Sequence, residues 1–139
     1  MFKKNKKKIL ILGGSSDIGM EVVKIFLKKN WEIYAHCNNN SKKLRDLKNK
    51  DIKIIKINFL IENKEVEKKI SNLTKLKCDA FLNLNGFIDN KSFQSFNLQN
   101  TCKTLKVNSL IPFLIISKIV KSMLKKKWGR IVQTSSIGV

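Results

Sequence analysis

Short apolar runs alternate with longer amphipathic segments along the chain. Each run is a few residues long, rich in β-branched side chains and bounded by Gly, Asn or Lys, a pattern typical of strands buried in a parallel sheet. Five such strands are predicted, at residues 9–12, 31–36, 52–57, 80–84 and 131–134.

The connecting segments carry apolar residues at helical spacing. After the first strand, Ile18, Val22 and Ile25 recur three or four residues apart, with lysines on the opposite side. Helices are predicted at residues 18–30, from 41 to about 49, 62–76 and 98–127, with Asn30 closing the first and Ser41 capping the second. Pro112 lies inside the last helix and lacks a backbone N–H, so we expect that helix to kink or split there.

Strands and helices therefore alternate, which predicts an α/β fold with a doubly wound parallel sheet of Rossmann type over residues 1–139. Right-handed crossovers favour the strand order 3-2-1-4-5. Ligands of such sheets bind at the carboxyl ends of the strands, near the switch between strands 1 and 4. Two polar, glycine-bearing turns fall at those ends, Gly13–Gly19 and Asn83–Gly86.

The first of these turns joins a strand directly to a helix. Glycine tolerates positive φ and has no Cβ, so another group can approach the backbone closely. The amides at a helix N-terminus favour an anion such as a pyrophosphate, so the turn predicts a dinucleotide site. We expect the amides from Ser15 to Ile18 to hold the pyrophosphate. The carboxylate of Asp17 would repel that anion, and we expect it to cap the helix instead.

The formal net charge is +19, and all but two of the 29 basic residues, Arg45 and Arg130, are lysines. The lysines are spread over almost every segment, whereas a nucleic-acid surface clusters its charge and mixes Arg with aromatic residues. We interpret them as a solvated surface and expect no nucleic-acid partner, although a basic nucleic-acid-binding domain stays open as an alternative. The longest apolar stretch, 110–120, is interrupted by Lys118 and is too short to cross a bilayer, so no membrane partner is expected.

Three cysteines, Cys37, Cys78 and Cys102, lack the spacing of a metal site. We therefore predict no metal. An odd number of cysteines suits reduced thiols, which favours a cytoplasmic location.

Four motifs in this order and spacing resemble those of the short-chain dehydrogenase/reductase family, in its ordinary rather than its extended branch. The segment 12–19 is similar to the family's Thr-Gly-x-x-x-Gly-x-Gly turn, with Asp17 in place of the middle glycine, and 81–86 is similar to its Asn-Asn-Ala-Gly motif. The segment 107–113 resembles the helix that carries an Asn followed by proline, and 129–136 resembles the strand that leads to the catalytic serine.

The resemblance implies an NAD(P)-dependent oxidoreductase that transfers a hydride between the cofactor and a small carbonyl or alcohol substrate, as a homo-oligomer (dimer or tetramer). It implies two catalytic residues: Asn108, which holds a water in a proton relay, and Ser136, which hydrogen-bonds the substrate. The cofactor-binding residues it implies, together with the turn chemistry, are Gly13, Ser15, Ser16, Asp17, Ile18, Gly19, Asn38, Asn58, Asn83 and Gly86.

The segment after the second strand bears on the choice of cofactor. An acidic residue there would accept hydrogen bonds from the ribose hydroxyls of NAD. Residues 36–43 contain no carboxylate but do contain neutral donors and two lysines, which can accommodate a 2′-phosphate. We therefore predict NADP(H), with NAD(H) as the alternative.

The family's acid/base tyrosine, with a lysine four residues on, is expected about a dozen residues after the serine, beyond Val139. The only tyrosine of this chain, Tyr34, lies on the second strand. We therefore expect the N-terminal part of a longer enzyme, inactive by itself, with an exposed edge at strand 5. A non-catalytic dinucleotide-binding sensor or scaffold on the same fold remains the alternative.

Overall fold

Five strands form one parallel sheet in the computed structural model, which describes residues 5–88, 93–95 and 97–135. The strands are β1 Lys8–Leu12, β2 Glu32–Cys37, β3 Ile52–Lys56, β4 Ala80–Asn83 and β5 Arg130–Gln133. Their order is β3-β2-β1-β4-β5 and every neighbouring pair is parallel. The predicted strands and their order are confirmed, and no strand boundary differs from its prediction by more than one residue.

Helices connect the strands on both faces of the sheet. They are α1 Asp17–Lys28, α2 Lys42–Asp46, α3 Lys64–Thr74, α4 Leu98–Leu105 and α5 Ile111–Lys125, with a short 3-10 turn at Phe93–Ser95. The chain leaves α1 where Asn30 takes φ 61°, as predicted, and the amide of Trp31 donates to the carbonyl of Phe26 at 3.1 Å. Helix α3 begins two residues later than predicted because the side chain of Asn63 accepts the amide of Val66 at 2.8 Å.

Helix α2 is shorter than predicted and is not capped by Ser41. The backbone of Ser41 is not extended (φ −102°, ψ 4°), and its buried side chain makes no capping hydrogen bond. The side chain of Asn40 accepts the amide of Lys42 instead, at 2.9 Å. Lys48 takes φ 44°, which ends the helical path before residue 49.

The long helix predicted at 98–127 is split, as Pro112 led us to expect. A π-helical turn, Lys106–Leu110, separates α4 from α5, and within it the amide of Ile111 donates to the carbonyl of Lys106. Pro112 lies in the first turn of α5. In an unbroken α-helix the N–H of residue 112 would donate to the carbonyl of Asn108, but proline has no N–H. The π-helical turn therefore lies where the proline interrupts the regular hydrogen bonding.

Side chains of β1 alternate between two cores, one on each face of the sheet. Leu10 and Leu12 pack with α3 and α5, whereas Ile9 and Ile11 pack with α1 and α2. All four side chains are at most 1% exposed. This central strand therefore fixes the position of the turn that follows Leu12.

The segment Leu98–Lys125 is long and apolar enough to span a membrane by length and composition, which is weak evidence because core helices meet the same criteria. Its residues Ile111, Ile115, Ile119 and Met123 are buried against the sheet. We interpret the segment as the core helix that the topology requires, with an exposed outer face.

Candidate functional site

Two glycine-bearing turns meet at the carboxyl edge of the sheet, as predicted. The amide of Leu84 donates to the carbonyl of Leu12 at 3.0 Å, which continues the β1–β4 pairing into the turns. Gly13 takes φ 75°, and a Cβ at this position would lie 2.9 Å from the carbonyl carbon and oxygen of Leu84. Only glycine fits at Gly13, and its absent side chain lets the turn after β4 approach the turn after β1.

The start of α1 packs onto its own turn. A Cβ on Gly19 would lie 2.2 Å from the carbonyl oxygen of Gly13, so this position also excludes a side chain. The hydroxyl of Ser16 accepts the amide of Gly19 at 3.0 Å and donates to the carbonyl of Gly13 at 2.8 Å. These contacts hold the first turn of the helix in one orientation.

Ser16, and not Asp17, is therefore the N-cap of α1, and the expectation that Asp17 caps the helix is wrong. Ser16 has the extended backbone of a cap (φ −68°, ψ 165°), whereas Asp17 is the first helical residue. The exposed carboxylate of Asp17 instead lies 2.5 Å from Nζ of Lys43. The hydrogen bond and charge of Lys43 lower the pKa of Asp17.

Three backbone amides at the start of α1 have no acceptor among the residues that the structure describes. They belong to Ser15, Asp17 and Ile18. The amide of Ser16 is already used, since it donates to the carbonyl of Gly13 at 3.1 Å. The three open amides, at the positive end of the α1 dipole, are suited to an anion.

The glycine turn is also anchored to β2 through His36, a role that the sequence did not reveal. Nδ1 of His36 accepts the amide of Gly13 at 3.2 Å, and its carbonyl accepts the amide of Gly14 at 2.8 Å. The proton is therefore on Nε2, which donates to the carbonyl of Ile57 at 2.9 Å. The ring stacks on Phe59 with centroids 4.4 Å apart.

His36 is 1% exposed, and burial lowers its pKa from 6.5 to about 4. It is neutral at pH 7 and both ring nitrogens are occupied. His36 is therefore not one of the neutral donors expected to accommodate a 2′-phosphate. One signal for this role was available in the sequence, because His36 is a polar residue at an inward-facing position of an apolar strand.

A cleft of about 50 Å³ opens between the ends of β2, β3 and β4. Three predicted residues, Asn38, Asn58 and Gly86, line it together. The side chain of Asn58 accepts the amide of Leu60 at 3.0 Å. A Cβ on Gly86 would meet no atom within 4 Å, so the backbone there faces open space.

Two buried side-chain amides at the end of β4 have no hydrogen-bond partner within the described ranges. They are Nδ2 of Asn83 and Nδ2 of Asn85. Oδ1 of the fully buried Asn83 accepts the amide of Asn85 at 3.0 Å, which fixes the orientation of the Asn83 side chain. Asn85 lines the cleft but was not among the predicted cofactor-binding residues. It stands in place of the alanine in the Asn-Asn-Ala-Gly motif.

Of the two predicted catalytic residues, the structure describes only Asn108. Its side chain accepts the amide of Phe87 at 2.7 Å and donates to the carbonyl of Phe87 at 2.9 Å, so it ties the π turn to the segment after β4. Ser136 lies outside the described residues. The chain approaches it through Thr134, whose hydroxyl donates to the carbonyl of Asn83 at 2.7 Å.

Across residues 5–88, 93–95 and 97–135, no three His, Cys, Asp or Glu side chains are grouped so that they could hold a metal ion.

The strand order and the helices on both faces define a Rossmann-type α/β domain. The chain belongs to the short chain dehydrogenase family, whose family model matches residues 7–138.

Two curated relatives are 3-oxoacyl-[acyl-carrier-protein] reductases FabG. The protein from Rickettsia typhi is 31% identical over 136 residues, and the one from Rickettsia prowazekii is 30% identical over 140 residues. Each match covers 94% of this chain and 54% of the relative. The chain therefore spans about half the length of the curated relatives it matches.

Solved structures of similar fold include a 4-hydroxyisoleucine dehydrogenase complexed with NADH. That chain is 27% identical with a TM-score of 0.79, and the match covers 95% of this chain and 56% of that one. Serine dehydrogenase from Escherichia coli is 14% identical with a TM-score of 0.70, covering 89% and 59%. The second likeness shows the fold alone.

Proposed function

We propose that residues 1–139 form the dinucleotide-binding domain of an oxidoreductase that transfers a hydride between NADP(H) and a small carbonyl or alcohol substrate. The observation that carries this proposal is the set of three open amides on Ser15, Asp17 and Ile18. They lie at the start of α1, on a turn already fixed by Ser16 and His36. A pyrophosphate placed against them needs no rearrangement of the backbone.

The residues beside the turn fit the adenosine half of such a cofactor. Gly86 leaves open space that a side chain would fill. The buried amides of Asn83 and Asn85 lack partners among the described residues, and a ligand oxygen or ring nitrogen that reached Asn85 in the cleft would remove the cost of leaving it unpaired. Asn38 and Asn58 add polar groups without a formal charge to a lining that is otherwise largely apolar.

The preference for NADP(H) over NAD(H) is supported by charge. No carboxylate stands among residues 36–43, where an NAD enzyme would use one on the ribose, and Lys42 and Lys43 begin α2, four residues after the end of β2. The relative complexed with NADH makes NAD(H) the alternative to be tested. The names of the curated relatives support a 3-oxoacyl type of carbonyl compound as the substrate class. We further propose a cytoplasmic homo-oligomer.

When bound, the cofactor would supply the hydride, and this chain's residues would bind and orient it. The amides of α1 would hold the pyrophosphate, the cleft would hold the adenosine half, and Asn108 would keep the segment after β4 in position through Phe87. Ser136 would hydrogen-bond the substrate, as the family resemblance implies.

An NMR titration of the ¹⁵N-labelled chain with NADPH tests the binding site directly. We expect the amide signals of Ser15, Asp17, Ile18 and Gly86 to shift, while that of Trp128, which precedes β5 at the opposite edge of the sheet, stays constant. The variant Gly86→Val should weaken binding without loss of stability, because its side chain points into open space. Shifts confined to other residues, or no binding, would refute the proposal. Salt-sensitive DNA binding in place of cofactor binding would support the nucleic-acid alternative.

A further inference from the structure

The imidazole ring of His36 lies between the two parts of the proposed cofactor site. Its Nδ1 accepts the amide of Gly13, in the turn after β1, and its Nε2 donates to the carbonyl of Ile57, directly after β3. The ring also stacks on Phe59, with centroids 4.4 Å apart and planes inclined by 11°. One buried side chain therefore connects the turn that would hold the pyrophosphate with the segment that lines the cleft.

The bond between His36 and Gly13 continues into the hydrogen bonds that shape the start of α1. Both backbone groups of Gly13 are in use, because its amide donates to His36 and its carbonyl accepts the amide of Ser16 at 3.1 Å and the hydroxyl of Ser16 at 2.8 Å. The same hydroxyl accepts the amide of Gly19 at 3.0 Å. The contacts thus run from the ring through Gly13 and Ser16 to the first turn of the helix.

The open amides lie next to the residues that these contacts fix. Ser15 directly precedes Ser16, while Asp17 and Ile18 lie between Ser16 and Gly19. Because each peptide unit is planar and rigid, the direction of an open N–H depends on where its neighbours are held. A shift of the turn away from the ring would therefore change the directions of all three donors.

A second contact keeps the turn on β2 even without the ring. The amide of Gly14 donates to the backbone carbonyl of His36 at 2.8 Å, and a Cβ on Gly14 would lie 3.1 Å from Cβ of Ala35. The backbone of the turn therefore lies directly against the strand. Loss of the Nδ1 contact should reorient the turn without detaching it.

The other side of the ring holds a wall of the cleft. Ile57 is bound to β2 through both of its backbone groups, since its amide donates to the carbonyl of Cys37 at 3.0 Å and its carbonyl accepts Nε2 of His36 at 2.9 Å. Phe59, which is 3% exposed, covers the ring, and Asn58 lines the cleft between them. Nε2 thus serves the cleft wall, whereas Nδ1 serves the glycine turn.

Only one form of the ring can serve both. Neutral imidazole with its proton on Nε2 accepts at Nδ1 and donates at Nε2, whereas the other tautomer and the imidazolium carry a proton on Nδ1. We infer that His36 is a positioning residue of the cofactor site, whose Nδ1 lone pair sets the directions of the open amides and thereby the affinity for the pyrophosphate group. His36 acts on the pyrophosphate through Gly13. This inference rests on the proposed dinucleotide-binding function.

Two substitutions separate the roles of the two ring nitrogens. The side-chain amide of Asn lies near the position of Nδ1, and that of Gln lies near the position of Nε2. His36→Asn can therefore keep an acceptor for the amide of Gly13, whereas His36→Gln can keep a donor for the carbonyl of Ile57 but leaves Gly13 without its acceptor. The matched control is Ile33→Val, which removes a buried methyl group from the same strand in the core that contains α1.

Dissociation constants for NADPH are measured by calorimetry at pH 7, and urea unfolding of each variant shows that the fold is retained. We expect His36→Gln to weaken NADPH binding about tenfold and His36→Asn to stay within about threefold of the wild type, although both lose stability. Ile33→Val should also lose stability but bind NADPH within about twofold of the wild type, because it does not contact the turn.

Equal affinities of His36→Asn and His36→Gln, or a loss of affinity in Ile33→Val as large as in His36→Gln, would overturn the inference while leaving the proposed function standing. If His36→Gln does not fold, the ring ¹⁵N signals of the wild type decide. Nδ1 should stay unprotonated in the NADPH complex, and transfer of the proton to Nδ1 on binding would overturn the inference. If the wild type binds no NADPH, the proposed function fails and this inference fails with it.

Discussion

Acid should weaken the fold through one buried side chain, His36. Neutral His36 accepts the amide of Gly13 at Nδ1 and donates to the carbonyl of Ile57 from Nε2. A proton on Nδ1 would remove the acceptor for Gly13 and place a charge in a pocket that is 1% exposed. The folded chain therefore resists protonation more strongly than the unfolded chain does.

The size of the effect follows from the two pKa values. Burial lowers the pKa of His36 from 6.5 to about 4 in the folded chain. Between these values the unfolded chain binds a proton that the folded chain does not, so the free energy of unfolding falls as the pH falls. The loss should be about 2 kcal/mol between pH 7 and pH 5, and about 3 kcal/mol by pH 4.

Two measurements isolate this contribution. His36 is the only histidine of the chain, so its ring proton signals report one titration without ambiguity. Urea unfolding of wild type and His36→Asn from pH 7 to pH 4 gives the difference between them. Acidic groups such as Glu32, whose pKa is lowered by Lys53, are present in both proteins. Their contributions to the pH dependence of the free energy of unfolding therefore cancel in the difference.

The wild type should be the more stable protein at pH 7, and its advantage should shrink by about 3 kcal/mol as the pH falls to 4. If His36→Asn does not fold, the NMR titration of the wild type decides alone. A ring titration near pH 6.5, or a stability difference that does not change with pH, would refute the proposed bonding of the glycine turn to β2.

Four further substitutions probe the turns. Gly19→Ala should destabilise the fold by about 3 kcal/mol in urea unfolding, because its Cβ would lie 2.2 Å from the carbonyl oxygen of Gly13. Gly86→Ala has open space around its Cβ and should change the free energy of unfolding by less than about 0.5 kcal/mol. Similar losses in the two variants would contradict the packing described. Ser16→Ala should cost about 1 kcal/mol by the same measurement, through loss of the N-cap bond to Gly19, and no loss would show that the cap is not needed. Asn85→Ala should keep or raise stability, since it removes an unpaired buried amide, yet weaken NADPH binding about fivefold in calorimetry; unchanged affinity would exclude Asn85 from the site.

The sheet and its order could be predicted because the information is local. A strand buried on both faces reads as a continuous apolar run, and the alternation of such runs with helical patterns leaves few topologies. Pro112 likewise acts on its own helix, so the split into α4 and α5 was foreseeable. The spacing of the glycines was likewise enough to predict the first turn.

Contacts between distant segments could not be predicted in this way. His36 supports the turn at Gly13 only because β2 lies beside β1 in a particular register. The pairing of Asp17 with Lys43 likewise depends on how α1 and α2 lie beside each other in the fold, which the local sequence pattern does not give. Even the cap of α1 was assigned one residue too late, since both Ser16 and Asp17 have side chains that can cap.

The arrangement of hydrogen bonds explains why the candidate site is available to a ligand. The amides of Gly13 and Gly14 are already bound to His36, and that of Ser16 is bound within the turn, so the backbone is fixed without help from a ligand. Within the described part of the chain, the donors of the turn that remain open are the amides of Ser15, Asp17 and Ile18. Because water can hydrate exposed amides, leaving them open costs the free chain little, whereas an anion gains all three at once. A turn that is rigid on its inner side and unsatisfied on its outer side is suited to bind a phosphate group with little loss of conformational entropy.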